Sequence, residues 1–468
     1  QGPEEYYIKL RSQTPGSQYY LNVQTDTYTL ERINISDAYS QNLVNIPIGI
    51  DSGNNINFDI DPVWDNGSGN GLWSTATNWD GNAVPTGSQT VTFNNTSTAN
   101  CSIDNAGTWS GGTFTIAGTY TGTITVNVST LTIGAFSQAG GTFNGGSATL
   151  NMASFSLTGG TFTSTSGTLN ITGNFSRTAG TFTHNSGTVV FTTSDNSITS
   201  GGQSFYNLTV NGANDSEGYY YTLTLNDALS VANDLTLSQV SAGSSTITVG
   251  RHFSVDGANG ETGYNSASIV LTGTGNLTYS NLTAPWSNGF YNLTCGQNGN
   301  TTTLQSTIGV INQLTIGSGT LTGNYTVCMI GNGNVFSFNS ASTFSTSQIN
   351  FYSTSGTINL PALTNGYSTS INVSNNNTVI SQTGDVTLNG LNITTDGFTG
   401  RTATWNTNGY ALTVTGSITV GVSGDTATKT LNITNSTLTV GGNFTIASTQ
   451  AVFTTTGSTV IFNGSGTQ

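Results

Sequence analysis

Residues able to do chemistry are few in this chain, and most stand alone. Asp59, Asp61 and Asp65 gather beside Asn66, Gly67, Ser68 and Asn70. Carboxylate and amide oxygens at that density are the hard ligands calcium takes, so these three aspartates are the candidate metal site, for a structural calcium ion. Their spacing departs from the D-x-[DN]-x-[DN]-G pattern of the EF-hand loop, and solvated turn acids are the simpler reading. A second acidic pair, Asp215 and Glu217, has no such oxygen-rich surroundings.

Acid–base catalysis on a polysaccharide needs paired carboxylates, or acids holding a metal beside a base. From residue 262 onward the acids are Asp385, Asp396 and Asp425, and the bases are Arg401 and Lys429, too sparse for a catalytic groove. Asp396 and Arg401 suit a turn salt bridge, worth little when exposed. His184 and His252 lie far apart, with no Cys or Asp cluster that would make a triad or a zinc site of either. Cys101, Cys295 and Cys328 are too few for a disulfide framework; Cys295 and Cys328 are the one pair that neighbouring turns of chain could bring together. The glycine-rich string 331–334 lacks the Lys-Ser/Thr pair and the helix of a phosphate loop. The expectation is a non-enzyme without catalytic residues or cofactor, apart from the candidate calcium.

What must position these residues is a repeat. GGTF occurs at 111–114, 140–143 and 159–162, and AGTF at 179–182, so the closing phenylalanines are 29, 19 and 20 residues apart. Between them lie short alternating runs, 148–152, 168–172 and 188–192, with Gly, Ser or Asn turns and no 3.6-residue periodicity. A unit near twenty residues cannot bury its apolar face alone. Stacked on copies of itself, it hides that face and pairs each strand with the coils above and below, about 4.8 Å away. The predicted fold is all-β, a parallel β-helix or β-solenoid, with two or three strands per coil.

Composition agrees. Charged residues are 6% of the chain, against 60 glycines and abundant Ser, Thr and Asn, yet 21 Phe and 18 Tyr supply more aromatic surface than a disordered chain carries. A net charge of −14 excludes a phosphate-backbone partner, and no apolar run is long enough to span a bilayer as a helix. With lysine only at Lys9 and Lys429 and a surface of neutral polar residues, the expected location is extracellular, at the cell surface.

Three segments follow. Residues 1–60 hold longer strands and three of the basic residues, Lys9, Arg11 and Arg32; they suit a β-rich cap, a small antiparallel sandwich or a subunit-pairing segment. Residues 61–110 carry Trp64, Trp73 and Trp79 and form a Trp-rich module, whose rings either plug the first coils or offer a stacking platform for carbohydrate. Residues 111–468 are the solenoid repeats, ending mid-repeat, since 459–468 matches the opening of the unit at 188–203. Trp64, Trp73, Asn78-Trp79, Gly81, Val84-Pro85 and the strand Val91-Thr92-Phe93 together resemble the module that precedes solenoid repeats in large bacterial surface proteins, especially adhesin-like proteins of Bacteroidota and autotransporter-like passenger domains. The FYNLT phrase, at 205–209 and 290–294, resembles secreted repeat proteins of the same groups.

The resulting expectation is an extracellular structural protein, a fibre or filament subunit or a surface stalk, self-associating head to tail. The alternative is an adhesin that binds glycan or another surface through the aromatic module or through loops such as 211–221 and 256–265. Ice binding requires Thr-x-Thr on one face at every coil, and these runs recur without a strict period. A β-helical polysaccharide-active enzyme is the least supported reading.

Overall fold

Strands throughout the chain pair in parallel with strands roughly one coil away, which is the arrangement of a β-solenoid. The computed structural model describes residues 8–21, 31–46, 48–51, 56–107, 109–192, 196–211, 223–238, 240–241, 243–256, 266–280, 289–330, 336–339, 341–351, 356–374, 377–394 and 401–465. The chain divides into two units, residues 1–209 and 210–468.

In the first unit each regular coil gives three short ladders. Thr142–Asn144 pairs with Thr161–Thr163, which pairs with Thr181–Thr183. Thr130–Gln138 bends at Gly134, so Leu131 opposes Leu150 in one ladder and Phe136 opposes Phe155 in another. The alternation explains the burial: Phe143, Leu150, Met152, Phe155 and Leu157 are buried, while the Thr, Asn and Ser between them face outward. Each apolar side chain so buried contributes about 1.5–3 kcal/mol.

The four GGTF-like phrases are not equivalent. Phe143, Phe162 and Phe182 share one ladder, and Ile124, within Thr123–Val126, is the residue that opposes Phe143. Phe114 instead opposes Val91 and Phe136 in a different ladder. The 29-residue gap before Phe143 is therefore a change of face, and the coil itself is 19 residues long where Asn170 donates to Asn151.

Two columns of phenylalanine run through this interior. Phe143 and Phe162 stack at 5.1 Å with rings 1° apart, and Phe162 stacks on Phe182 at 7°. Phe136, Phe155 and Phe175 form the second column, at 10° and 6°. The columns meet edge to face, with Phe155 and Phe162 4.8 Å apart at 80°. Such pairs add about 0.5–1.5 kcal/mol beyond burial.

Residues 8–60 correct the sandwich reading. Ile8–Leu10 pairs in parallel with Glu31–Ile35, which pairs in parallel with Ile48–Asp51. Tyr19–Tyr20, Ala38–Ile46 and Ile56–Ile60 form a second parallel ladder. Ile33, Ile35, Ala38 and Val44 form the core there, with Leu10, Tyr19 and Leu21 packed against it. Alternation reveals a half-buried strand but not its partner's direction; here each strand skips its neighbour and pairs with the next but one, as a crossover requires.

The second unit has coils of less regular length, 18 residues from Leu229 to Ile247, 24 from Ser268 to Asn292 and 26 from Asn406 to Asn432. Its ladders include Thr246–Val249 with Ser268–Leu271, and Gly356–Leu360, Thr378–Gln382, Thr402–Asn406, Thr428–Asn432 and Ala451–Thr454 in succession. Corners turn tightly where the backbone of one coil rests on the next. A Cβ at Gly273 would lie 1.9 Å from the carbonyl oxygen of Gly250, itself equally close above Ala232. Gly273→Ala is expected to cost about 1–3 kcal/mol through this overpacking; an unchanged denaturation midpoint would contradict it.

Candidate functional site

The Trp-rich module is an interior plug. Trp64, Trp73 and Trp79 are each 0% exposed and Trp109 is 3% exposed, so none of these rings offers a stacking platform to carbohydrate. Trp73 and Trp79 meet edge to face at 4.6 Å, and Trp73 stacks on Phe114 at 6.1 Å. Three of the four polar edges are used internally: Trp79 Nε1 donates to the Trp73 carbonyl, Trp64 Nε1 to that of Ala99 and Trp109 Nε1 to that of Gln89, while the buried Trp73 Nε1 makes no hydrogen bond.

The oxygen-rich loop beside them is organised around Asn78, which is fully buried. Asn78 Oδ1 accepts from the Ser68 amide and hydroxyl, and its Nδ2 donates to Asn70 Oδ1 and to the Leu72 carbonyl. Of the candidate calcium ligands, Asp61 accepts the Thr90 N–H at 2.7 Å and Asp65 accepts the Gly67 N–H at 2.9 Å. The Asp59 side chain lies outside the described residues. Among the described residues no three His, Cys, Asp or Glu side chains come together to hold a metal.

The remaining ionisable groups also serve the fold. His184 Nδ1 accepts the Ser186 N–H within a turn, and His252 Nδ1 accepts the Asn276 N–H across coils. Arg251 chelates Asp234 on the surface and holds that carboxyl below its ordinary range. Arg177 clamps two corners, donating to the carbonyls of Gly180 and Gly201. Asp215, Glu217, Asp396, the string 331–334 and most of the loops 211–221 and 256–265 lie outside the described residues.

All three cysteines are free and buried. Cys295 opposes Ile316 and Cys328 opposes Gly309, so the pair is not a disulfide. Burial pushes the Cys295 and Cys328 thiols up to about 12 and raises Cys101 as well. Native chain at pH 8 is expected to give no reaction with a thiol reagent, and denatured chain three equivalents; prompt native labelling would contradict the burial. Unfolded thiols ionise near 9.0. Their contribution to stability is thus fully present below that pH and falls as pH climbs toward 12.

Sequence reasoning missed one pair. Lys429 is 0% exposed and its ammonium pairs with Asp425, whose side chain is 5% exposed. Lys429 Nζ also donates to the Ala427 carbonyl at 2.7 Å, and Ala427 N–H donates back to Asp425. Ala403 and Ala451, opposite Lys429 in the flanking coils, leave room for the long side chain. The signal lay in the alternation: Ala427, Lys429 and Leu431 occupy the inward phase while Thr428 and Thr430 face out.

Outer faces carry hydroxyls and amides. Thr123, Thr142, Thr161 and Thr181 form one column, with Thr125, Asn144, Thr163 and Thr183 beside it. This regularity was hidden by the uneven spacing of the phrases. The array ends at Cys101–Ile103, whose outward residue is Ser102 alone, and its cross-strand pairs are worth about 0.2–1 kcal/mol each to the ladder.

No family model, no curated protein and no solved structure matches the chain. The likeness to surface proteins rests on the residues quoted for it.

The last described coil differs from the others. Val420 and Val440 are 0% exposed, but their partners in that coil, Ile446 and Phe462, are 44% and 53% exposed. In the first unit, Ile8 is 64% and Tyr20 48% exposed in the earliest described strands.

Proposed function

We propose that this protein is an extracellular structural subunit, a β-solenoid that builds a fibre or surface stalk by head-to-tail self-association. The observation that carries the reading is the stack of parallel coils itself, whose backbone ladders and buried apolar columns leave a hydroxyl-rich outer face of Thr and Asn. A second copy of the chain is the partner proposed. A contact between two unlike surfaces does not close on itself and propagates into a filament. Two further features support a structural role: His184, His252, Arg177, Arg251 and Lys429 are engaged in turns and coil contacts, and the outer ladder faces are rich in hydroxyls and amides. The extracellular location rests on the near absence of lysine, on that surface and on the resemblance to bacterial surface proteins.

Sedimentation velocity over a concentration series tests the assembly. The wild-type chain is expected to form a growing series of species as its concentration rises. A wild-type chain that stays monomeric at every concentration would overturn the proposal.

A further inference from the structure

The second unit contains a polar cleft that the assembly reading does not use. Thr320–Met329 pairs with Thr343–Phe351, but the register shifts: Gly323 opposes Thr346 and Thr326 opposes Gln348, leaving Asn324 and Tyr325 against Ser347 alone. This β-bulge dents the face and re-aims the side chains around it, as bulges do beside binding sites. Gly323 is needed for it. Its φ is +130°, and a Cβ there would lie 2.6 Å from the Leu304 carbonyl oxygen.

The resulting cleft has a volume of about 470 Å³, within the range of small-molecule sites. Tyr325, 40% exposed, stands at its edge. Gln305, Asn324 and Ser347 are exposed in the lining, with Thr303 and Thr322 in register behind them. Apart from the tyrosine hydroxyl, no lining residue is ionisable.

We infer that this cleft binds a neutral oligosaccharide, with Tyr325 as the platform for one sugar ring and the amides of Gln305 and Asn324 as partners for its hydroxyls. A pyranose offers an apolar C–H face and a rim of hydroxyls. The exposed ring matches the first, and side-chain amides, each with donors and acceptors, match the second. Phosphate or carboxylate ligands find no counter-charge here and meet a chain of net charge −14. Apolar ligands find little besides Leu304 and the tyrosine ring. The lining has no carboxylate to act as acid or nucleophile, so the cleft binds without cleaving. This site differs from the Trp-rich module and the loops where glycan binding was expected from sequence, and it does not depend on whether the chain polymerises.

Calorimetric titration of the full chain with cellohexaose, xylohexaose and chitohexaose tests the site, with a polygalacturonate oligomer as the acidic probe. Saturable binding of at least one neutral probe is expected, weakened about tenfold by Tyr325→Ala, retained by Tyr325→Trp, and absent for the acidic probe. Because Tyr325 is exposed, the alanine variant should melt as the wild type does. Failure of all three neutral probes, equal binding by Tyr325→Ala, or preference for the acidic probe would overturn the inference.

Discussion

Asp425→Ala is expected to destabilise the second unit by about 3–5 kcal/mol, because it strands the Lys429 ammonium in a dry interior. The pair lies almost wholly out of water, and the remaining bond to Ala427 cannot replace a counter-charge. Much of the loss is the desolvation of an unpaired cation rather than the attraction itself, so removing both charges should behave differently. Asp425→Ala combined with Lys429→Met is expected to recover most of the stability, since a methionine fills the same channel between Ala403 and Ala451. Coils of a solenoid can open one by one, so amide hydrogen exchange at 428–432 is the appropriate readout beside denaturant unfolding. A single variant within about 1 kcal/mol of wild type would mean that the pair is solvated.

The second large effect lies in the aromatic interior of the first unit. Phe155 is 1% exposed; it stacks between Phe136 and Phe175 at 5.4 and 4.5 Å and takes the edge of Phe162 at 4.8 Å. Phe155→Ala removes a ring that coils on both sides use, and the expected cost is about 3–5 kcal/mol, transfer plus cavity. Phe155→Leu should lose less, because it keeps most of the volume. One residue on, Ser156 faces outward, and Ser156→Ala should stay within about 0.5 kcal/mol. Equal losses at 155 and 156, followed by chemical denaturation, would show that the inward and outward phases are misassigned.

Period and alternation made the solenoid legible before any coordinates. T-F-T and T-L-N-M declare which residues point inward, and a twenty-residue unit has nowhere to bury them except on its copies. Register was not legible. The phrase at 111–114 looks like its three successors but occupies another ladder, because identical local chemistry suits any face of a coil. Strand direction in residues 8–60 was hidden for a related reason: alternation is the same whether a partner runs parallel or antiparallel. The Trp cluster carried two readings that sequence alone could not separate, and burial removes the platform reading for Trp64, Trp73 and Trp79. Lys429 was passed over because it was counted among sparse charges rather than placed in the phase of its strand. The cleft depends on a one-residue register shift at Gly323, which nothing in the local sequence marks apart from one glycine among 60.

Head-to-tail assembly is the central claim, and cryo-electron microscopy of the purified native protein tests it most directly. The account predicts unbranched filaments of uniform width, built from one copy stacked on the next. Discrete particles of single chains would contradict it.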